Sequence, residues 1–470
     1  MAVYFESTKT FKEMIRRRKV KICVVGVGTI GLPAAIFFAS KGFRVVGFDV
    51  NERRVEEVNK ATCVCEYPRM LEEVVRKGKL RATTDAEVIG EADVLIVCVP
   101  TPLDKERRMD MRYLLSAADE IGRNIKRGAL VVLESSVSPG STRKFGKAIE
   151  ERSGLRMGVD FGLAYTPERY NPTLPQEIHG GVIYNKSCRA VESFTFNKVG
   201  RVVGGVDKKS AEMTKILYSA AIDAKIVEVS SLEASEATKL LENIFRDVNI
   251  ALVNEISKVY SKLGLDTFEI IEAAKSKPFA FLAHYPGTGV GGECIPVDTW
   301  YLIKQAEEVG VEPELMKTAR KVNDSMPKYV VELLERALRK VGKKLKGSRV
   351  CLLGLAYKRN INDSRQSPTF DVIRELQEKG VEVDVCDPIM ENVTSNKVPL
   401  VPLEKAFDGK DAVVLVTDHD IFKKVKLKDV RKRMRSRVII DGRNFFNEKE
   451  LKRLGFIYAG VGKALEGERL

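Results

Sequence analysis

Short, continuous apolar runs alternate with longer amphipathic stretches along most of this 470-residue chain. A run that is apolar at every position suits a strand buried on both faces, and the stretches between the runs are long enough for helices. The alternation predicts an α/β fold with doubly wound parallel sheets, because parallel strands need a crossover between them. The predicted strands are Val20–Val25, Phe43–Asp49, Val94–Val99, Ala129–Glu134 and Phe161–Tyr165, followed by Arg349–Leu353, Val381–Cys386, Ala412–Thr417, Val438–Ile440 and Phe456–Ala459.

A different pattern lies between these two sets of predicted strands. From about residue 232 to about residue 263 the apolar residues recur at helical spacing, which predicts one long helix that ends at Gly264. Helical sequence then continues to about residue 340. We therefore predict an α/β domain over residues 1–229, a central helical domain over 230–340 and a second α/β domain over 341–470.

Composition limits the class of protein. Apolar residues make up 44% of the chain, enough for packed cores, and no apolar run approaches the roughly 18 residues of a membrane helix. Eight cysteines are too few for a disulfide scaffold, and the N-terminus lacks the pattern of a secretory signal. We therefore expect a cytoplasmic protein with no membrane partner. The net charge of +14 favours anionic partners, but no zinc, helix-turn-helix or stacking-aromatic pattern indicates nucleic acid, and no metal site is expected.

The first glycine-rich loop joins a predicted strand to a predicted helix. Gly26–Gly31 has the G-x-G-x-x-G spacing that permits a tight turn, close approach to a pyrophosphate and close helix–strand packing. Asp49 ends the next strand and can accept hydrogen bonds from ribose hydroxyls, which favours NAD over NADP. The pattern predicts a Rossmann-type NAD site, and a glycine turn without a ligand is the alternative. The loops Val99–Pro102 and Ser135–Gly140 also follow strands and are expected to face the cofactor.

A second glycine-rich segment leads into a cysteine. Its glycines are Gly287, Gly289, Gly291 and Gly292, and they are followed by Cys294 and Asp298. Such a loop can offer backbone N–H groups to a phosphate. A thiol beside it can be held as a thiolate and act as a nucleophile. We favour this interpretation over a buried structural cysteine.

On the predicted long helix, Glu236, Lys239 and Asn243 share one face, because they are three and seven residues apart. Lys239 and Asn243 place two hydrogen-bond donors side by side. Two donors aimed at one oxygen can stabilise an oxyanion. An ordinary solvated helix face is the alternative.

Taken together, these segments resemble the UDP-glucose/GDP-mannose dehydrogenase family. The matching motifs occur in the family's order and cover about residues 20–445. They are Gly26–Gly31, Val99–Pro102, Glu134–Gly140, Pro167–Arg169, Glu236–Ala251, Asn254–Glu255, Gly287–Asp298, Gly354–Lys358, Asp363–Pro368 and Asp387–Pro388. Two motifs indicate the branch of the family: Gly287–Asp298, called the cysteine loop below, and Glu236–Ala251 on the long helix. Their sequences are most similar to those of the branch that oxidises UDP-N-acetylhexosamines.

The resemblance implies two Rossmann-like domains joined by a helical domain, and an NAD-dependent enzyme that oxidises the C6 hydroxyl of a UDP-sugar to the uronate. UDP-N-acetyl-D-mannosamine is the favoured substrate, and UDP-N-acetylglucosamine, UDP-glucose or an inactive nucleotide-sugar-binding homologue are the alternatives. A two-electron hydroxyacid dehydrogenase is disfavoured, because it needs neither a nucleophilic cysteine nor a second α/β domain. The resemblance also implies a homodimer through the long helix, or a larger oligomer, and a product used in polysaccharide synthesis.

The resemblance assigns roles to individual residues. The catalytic set is Cys294, Lys239, Asn243, Asp298, Glu168 and Ser136. The cofactor-binding set is Gly28, Thr29, Ile30, Asp49, Arg53, Pro100, Thr101 and Ser136. The substrate-binding set, in the UDP-sugar site, is Glu168, Arg169, Lys239, Asn243, Arg246, Tyr285, Gly287, Gly291, Lys358 and Arg365.

The sequence also departs from the family pattern. Glu293 precedes the cysteine where this branch usually has His, and a carboxylate there raises a thiol pKa unless it points away. Ser136 replaces the more common Thr, and Ser276–His284 lacks an Arg that the family usually places before the glycine loop. No histidine matches a catalytic position, so structural or surface roles are expected for His179, His284 and His419.

Overall fold

The structure is a computed structural model that describes residues 2–63, 65, 67–169, 196–390 and 398–465. The strands are β1 Lys21–Val25, β2 Arg44–Phe48, β3 Leu80–Thr83, β4 Val94–Val97, β5 Leu130–Leu133, β6 Gly162–Tyr165, β7 Arg201–Gly205, β8 Ile226–Glu228, β9 Arg349–Leu353, β10 Glu382–Cys386, β11 Ala412–Leu415, β12 Val438–Asp441 and β13 Ile457–Gly460. The helices are α1 Thr8–Arg16, α2 Gly31–Ser40, α3 Glu52–Asn59, α4 Pro68–Arg76, α5 Glu87–Glu91, α6 Arg112–Asn124, α7 Ser141–Ser153, α8 Lys208–Tyr218, α9 Leu232–Lys262, α10 Thr267–Ala274, α11 Ile295–Glu308, α12 Glu314–Asp324, α13 Met326–Lys340, α14 Pro368–Glu378, α15 Leu427–Val430 and α16 Glu448–Arg453.

The described residues form two compact units. The first contains the described parts of 1–181 and 190–242 together with 300–309, and the second contains 243–299 and the described part of 310–470. Two helices are divided between the units. Helix α9 belongs to the first unit up to Glu242, and α11 belongs to the second unit up to Thr299.

The first unit is built on a sheet with the strand order β3-β2-β1-β4-β5-β6-β7-β8. Its strands pair in parallel except for β6 and β7, which are antiparallel. The central strands β4 and β5 are buried at every position, and apolar clusters cover both faces, as continuous apolar runs require. The strand order reverses between β1 and β4, which is where doubly wound sheets bind their ligands.

The second unit contains a five-stranded parallel sheet with the order β10-β9-β11-β12-β13. Its order reverses between β9 and β11. Helices α13 and α14 pack on one face through Leu334, Leu338, Val372 and Leu376, which are all fully buried. The predicted class, two doubly wound domains with a long central helix, is confirmed.

The ten predicted strands are all present, with ends within two residues of those predicted. The sequence did not predict β3, β7 or β8. These strands are short, and Arg81, Arg201 and Glu228 interrupt their apolar character. The long helix ends at Lys262, and Gly264 has a φ of +76°, as expected for a helix-ending glycine. Among the helices of the described residues, none has the length and apolarity needed to cross a bilayer.

Candidate active site

The first glycine loop of the first unit lies at the point where the strand order reverses. Gly26 has a φ of +88°, and a Cβ there would lie 2.6 Å from the carbonyl oxygen of Cys98 at the end of β4. A Cβ at Gly31 would lie 1.9 Å from the carbonyl oxygen of Gly26. The first and third glycines are therefore required by packing inside the protein. At Gly28 a Cβ would meet nothing within 4 Å, so this residue borders open space.

Asp49 lies beside the same loop. Its Oδ2 accepts a hydrogen bond of 2.9 Å from the backbone N–H of Val27, and its Oδ1 accepts one of 3.0 Å from that of Asn51. These bonds hold the carboxylate at the end of β2 next to the glycine loop. Arg53 is bonded to Glu57 and exposed, whereas Arg54 donates to the carbonyl oxygen of Val27 at 2.8 Å. Arg54 therefore supports the loop directly, and the sequence did not single it out.

Two further loops follow neighbouring strands of the sheet. The hydroxyl of Ser135 donates to the carbonyl oxygen of Val99 at 2.7 Å, and that of Thr101 donates to the carbonyl oxygen of Ser136 at 2.8 Å. These bonds join the loops after β4 and β5, and it stays a prediction that both loops face the cofactor. Of the remaining predicted cofactor residues, Thr29 and Pro100 are exposed and Ile30 is half-buried. The residues present therefore fit an adenine dinucleotide: an open Gly28, the start of α2 and a fixed carboxylate.

A buried polar cluster lies under the segment Pro167–Arg169 in the first unit. Arg201 is 1% exposed, donates to the carbonyl oxygen of Pro167 at 2.8 Å and lies 4.0 Å from Oε2 of Glu134. The hydroxyl of Tyr218 donates to the other oxygen of Glu134. Burial raises the pKa of Glu134, and the charge of Arg201 opposes that rise. The cluster therefore fixes the backbone from which Glu168 extends.

The first half of α9 binds this region through two side chains. Lys239 donates from Nζ to the carbonyl oxygen of Glu168 at 2.5 Å. Glu236 accepts hydrogen bonds of 2.6 and 2.7 Å from the backbone N–H groups of Gly140 and Thr142, at the start of α7. Both side chains are buried, so the predicted polar face is not solvated. It binds the loops that follow β5 and β6.

Arg169 is predicted to bind substrate, and the structure shows it in contact with protein atoms. Its guanidinium forms an ion pair with Glu242 and donates to the carbonyl oxygen of Gly200 at 3.0 Å. These contacts fix the end of the segment that begins with Pro167.

In the second unit, Asn243 donates from Nδ2 to Oδ2 of Asp298 at 2.6 Å, and both side chains are buried. The backbone N–H of Asp298 donates to the carbonyl oxygen of Cys294 at 2.9 Å, at the start of α11. Cys294 is exposed. Lys239 and Asn243 therefore have different acceptors here. An ammonium has three N–H donors and an amide two, so each keeps donor capacity for an oxyanion.

The glycines before Cys294 allow close packing against the segment 357–368. A Cβ at Gly291 would lie 2.6 Å from the carbonyl oxygen of Gln366, and one at Gly292 would lie 2.7 Å from Cε2 of Tyr357. Gly292 also has a φ of +85° and donates its N–H to the carbonyl oxygen of Arg365 at 3.1 Å. The loop was expected to wrap a phosphate, but at these two glycines it packs against the chain's own segment 357–368.

Glu293 points toward Arg365, and the two side chains form an ion pair. Arg365 also binds Asp363 through Nε and Nη2, the latter at 2.7 Å from Oδ2. The hydrogen bond with Asp363 raises the pKa of the guanidinium further. The carboxylate that replaces the usual His is therefore compensated by a cation. The same contacts orient Arg365, which is predicted to bind substrate.

The other predicted substrate residues lie on three segments of the second unit. Tyr285 stacks on Phe268 with ring centroids 6.1 Å apart and donates its hydroxyl to Glu272. Arg246 is exposed on α9, and Lys358 is half-buried in the turn after β9. Gly287 opens the glycine loop, and a Cβ there would lie 2.5 Å from Nη1 of Arg443.

The second sheet repeats the glycine-and-acid arrangement of the first. Gly354 has a φ of +95° after β9, and Oδ2 of Asp387 accepts from the N–H groups of Leu355 and Ala356 at 2.6 and 2.8 Å. His419 is fully buried, accepts from the backbone N–H of Asn360 through Nδ1 and so donates from Nε2 to Asp387. The sequence revealed no such repeat, because only the glycine and the acid are shared.

Two of the three histidines have structural contacts, as predicted. His419 binds Asp387, and His284 is buried with Nδ1 2.9 Å from the carbonyl oxygen of Leu282. Burial lowers the pKa of His284. His179 lies outside the described residues.

Two sets of residues, together with the fold, define the class of protein. The glycine loop with Asp49 and the segment with Cys294 and Asp298 are those of a dinucleotide-dependent dehydrogenase that carries a cysteine at the start of a helix. Comparison with known proteins gives the family. Residues 20–222 match the NAD binding domain of the UDP-glucose/GDP-mannose dehydrogenase family, residues 233–325 its central domain and residues 351–448 its UDP binding domain. The chain belongs to this family, and its class as an NAD-dependent nucleotide-sugar dehydrogenase is confirmed.

Individual relatives cover almost the whole chain. A UDP-N-acetyl-D-mannosamine dehydrogenase of Pyrococcus horikoshii is 37% identical over 94% of this chain and 99% of its own. A UDP-N-acetyl-D-glucosamine 6-dehydrogenase of Pseudomonas aeruginosa is 34% identical over 88% of this chain and 94% of its own. The solved structure of the Pyrococcus horikoshii UDP-D-ManNAc dehydrogenase has a TM-score of 0.83 and 36% identity, and the match covers 94% of this chain and 99% of that one.

Proposed function

We propose that this chain oxidises the C6 hydroxyl of UDP-N-acetyl-D-mannosamine to the uronate, with UDP-N-acetylglucosamine and UDP-glucose as the alternative substrates. The observation that carries this proposal is the cysteine loop, in which Cys294 is exposed and Asp298 is fixed one helical turn away. The name of the 37% identical relative supports the choice of sugar. NAD binds within residues 1–229, residues 230–340 carry the cysteine, and residues 341–470 bind the UDP group.

The reaction uses Cys294 as a covalent carrier. The alcohol loses a hydride and a proton and becomes an aldehyde, to which the thiolate adds to form the C–S bond of a thiohemiacetal. Loss of a second hydride and proton gives a thioester. Water then breaks the C–S bond, which releases the uronate and restores the thiol. NAD, when bound, supplies the hydride acceptor for each of the two oxidations.

Buried polar groups support each step. Lys239 and Asn243 donate to the oxygen that carries charge in the tetrahedral states. Both side chains have N–H donors and are buried, where a hydrogen bond to a charged oxygen is strong. The carboxylate of Asp298, which accepts a hydrogen bond from Asn243, takes the proton of the reacting hydroxyl. Glu168 and Ser136 orient the hydrolytic water, and Arg365, Lys358 and Tyr285 bind the nucleotide sugar. The ion pair with Arg365 keeps the charge of Glu293 compensated beside the thiol.

The test is the yield of NADH per sugar, with excess NAD and limiting UDP-N-acetyl-D-mannosamine, UDP-N-acetylglucosamine or UDP-glucose. We expect two NADH per UDP-N-acetyl-D-mannosamine. Cys294→Ala is expected to abolish turnover or to stop at one NADH. Cys65→Ala is the matched control, since this thiol lies in the first unit, and it is expected to keep the yield of two.

Two results would overturn the proposal. One NADH per sugar that is unaffected by Cys294→Ala would remove the covalent route. Absence of turnover with all three sugars would remove the substrate class and would favour an inactive nucleotide-sugar-binding homologue.

We also propose a cytoplasmic homodimer that pairs through α9. Leu241, Leu252 and Val259 on this helix are 67%, 53% and 52% exposed, which is costly for large apolar side chains unless a partner covers them. Leu252→Glu is expected to halve the molar mass measured by light scattering. Glu255→Gln, which removes a charge from the same helix instead of adding one, should leave the mass unchanged.

A further inference from the structure

Helix α9 carries a second buried asparagine on the same side as Asn243. Asn254 lies eleven residues later on α9, so the two Cα positions are about 20° apart around the helix and about 16 Å apart along it. Asn254 is 0% exposed, and nothing in the proposed chemistry uses it. A fully buried amide needs partners for its donors and its acceptor.

Asn254 uses both ends of its amide. Its Oδ1 accepts a hydrogen bond of 2.9 Å from the backbone N–H of Gly287, the first glycine of the cysteine loop. Its Nδ2 donates to Oδ1 of Asn323 on α12, also at 2.9 Å. The side chain therefore connects the loop to a second helix.

Asn323 is held in turn by α9. Its Nδ2 donates to the backbone oxygen of Asp247 at 3.0 Å and to Oδ1 of the same residue at 2.8 Å. Arg320 donates to that Oδ1 at 2.7 Å, and both partners are buried. A network with these partners is rigid, because each lost bond would leave a buried polar group without a partner.

The direction of this hydrogen-bonded chain is fixed at both ends. The backbone oxygen of Asp247 can only accept, so Asn323 turns its NH2 group to it and its oxygen to Asn254. The backbone N–H of Gly287 can only donate, so Asn254 turns its oxygen to the loop and its NH2 group to Asn323. The orientation of the Asn254 amide that Gly287 requires is thus the one that Asn323 requires. A carboxylate at position 254 could accept from Gly287 but could not donate to Asn323.

The two asparagines of α9 hold the two ends of the cysteine segment. Asn254 binds the N–H of Gly287, and Asn243 binds the carboxylate of Asp298, eleven residues further along the chain. Cys294 lies between these attachment points and is itself exposed. Packing at the first attachment point is tight, since a Cβ at Gly442 would lie 2.2 Å from Cγ2 of Thr288.

We propose that Asn254 is a positioning residue for Cys294. Asn254 fixes the N-terminal end of the cysteine loop at Gly287, and Asn243 fixes its C-terminal end at Asp298. This inference rests on the proposed covalent role of Cys294. The first hydride loss does not require the thiol, whereas the second does. Loss of Asn254 should therefore impair the second oxidation more than the first, and a displacement of about 1 Å can cost roughly 100-fold in rate.

The test compares Asn254→Ala with Asn249→Ala, a control on the same helix whose side chain is half-buried and donates to the carbonyl oxygen of Phe245 within α9. Each half-reaction is timed separately, with the UDP-sugar and with its C6 aldehyde as starting material. Hydrogen–deuterium exchange of the peptide that contains 287–294 measures loop order without any chemistry. Asn323→Ala, which leaves the bond to Gly287 in place, is the second variant.

For Asn254→Ala we expect aldehyde oxidation to slow by roughly 10- to 100-fold and alcohol oxidation to slow by less, with NADH per sugar falling from two toward one. Exchange of residues 287–294 should accelerate. Asn323→Ala should show smaller changes in the same direction, and Asn249→Ala none. Equal slowing of both half-reactions with the yield still at two, or unchanged exchange in 287–294, would overturn the inference. A wild-type yield of one would instead overturn the covalent route, while the exchange data would still decide whether Asn254 orders the loop.

Discussion

Asn243 donates to Asp298 across a distance of 2.6 Å, and the carboxylate that accepts this bond is completely buried. The bond joins α9 to the first turn of α11, whose preceding residue is Cys294. It is one of a series of contacts in which buried polar residues of α9 bind backbone groups or side chains of loops and helices in their own unit.

Removal of the charge of Asp298 should affect chemistry far more than stability. Asp298→Asn keeps the shape of the side chain and an oxygen for Asn243, but an amide cannot take a proton at neutral pH. We expect kcat to fall by about 100-fold or more, with the urea midpoint of unfolding nearly unchanged. Asp371→Asn, at an exposed helix position, is the control. A kcat within twofold of the wild-type value would argue against a proton-accepting role.

Arg365 should control the reactivity of the neighbouring cysteine through charge. Arg365→Met leaves the carboxylates of Glu293 and Asp363 uncompensated. The pH midpoint for alkylation of Cys294 by iodoacetamide, followed by mass spectrometry, should then rise by about one unit. Adding Glu293→Gln should reverse part of this rise. Because Arg365 and Glu293 are 48% and 43% exposed, the pair should change the free energy of unfolding by less than about 1 kcal/mol. An unchanged midpoint in Arg365→Met would show that the pair does not affect the thiol.

The buried pair of Arg201 and Glu134 should be costly to break from one side. Arg201→Met leaves Glu134 buried without its cation and should lower the free energy of unfolding by about 3–5 kcal/mol. Arg201→Met combined with Glu134→Gln should recover part of the loss, because neither charge of this pair then remains buried. Urea unfolding of the single and double variants measures both effects. A double variant as unstable as the sum of the two single variants would rule out coupling between them.

Asp49 should set the preference for NAD. Asp49→Asn keeps one acceptor for the N–H of Val27 or Asn51 but removes the negative charge that repels a 2′-phosphate. We expect the KM for NAD to rise about tenfold and the ratio of kcat/KM for NAD over NADP to fall. Steady-state rates with both cofactors measure this. A ratio equal to that of the wild type would place the ribose selectivity elsewhere.

Asp387 should make the second unit sensitive to acid. Burial opposes the shift, but hydrogen bonds from His419 and from the backbone lower the pKa of Asp387 below its usual range. A carboxyl with a lowered pKa in the folded state stabilises above its unfolded pKa of about 3.9, and this contribution is lost as pH falls through the folded pKa. The difference in unfolding free energy between wild type and Asp387→Asn should therefore be largest above about pH 4 and shrink below it. A difference independent of pH over that range would contradict the shift.

Local sequence patterns were sufficient for ten of the strands, the long helix and the first glycine loop. Strand runs such as Val94–Val97 are apolar at every position because both faces are covered, and helical spacing along α9 reflects a buried face. Three strands were missed where charged residues or glycines interrupt a short run. The polar face of α9 was also visible, but its buried state was not, because a polar stripe is usually solvated.

The sequence alone determined the architecture, the family and the use of NAD. The partners of the polar residues were decided only by the tertiary structure. Asn254 meets Gly287 across 33 residues, and Arg365 meets Glu293 across 72. Periodicity reports which face of an element is buried, whereas the group that a side chain meets there depends on how distant segments pack. A backbone N–H of a loop, such as that of Gly287, leaves no trace in residue type, and so only the folded chain reveals that Asn254 is its acceptor.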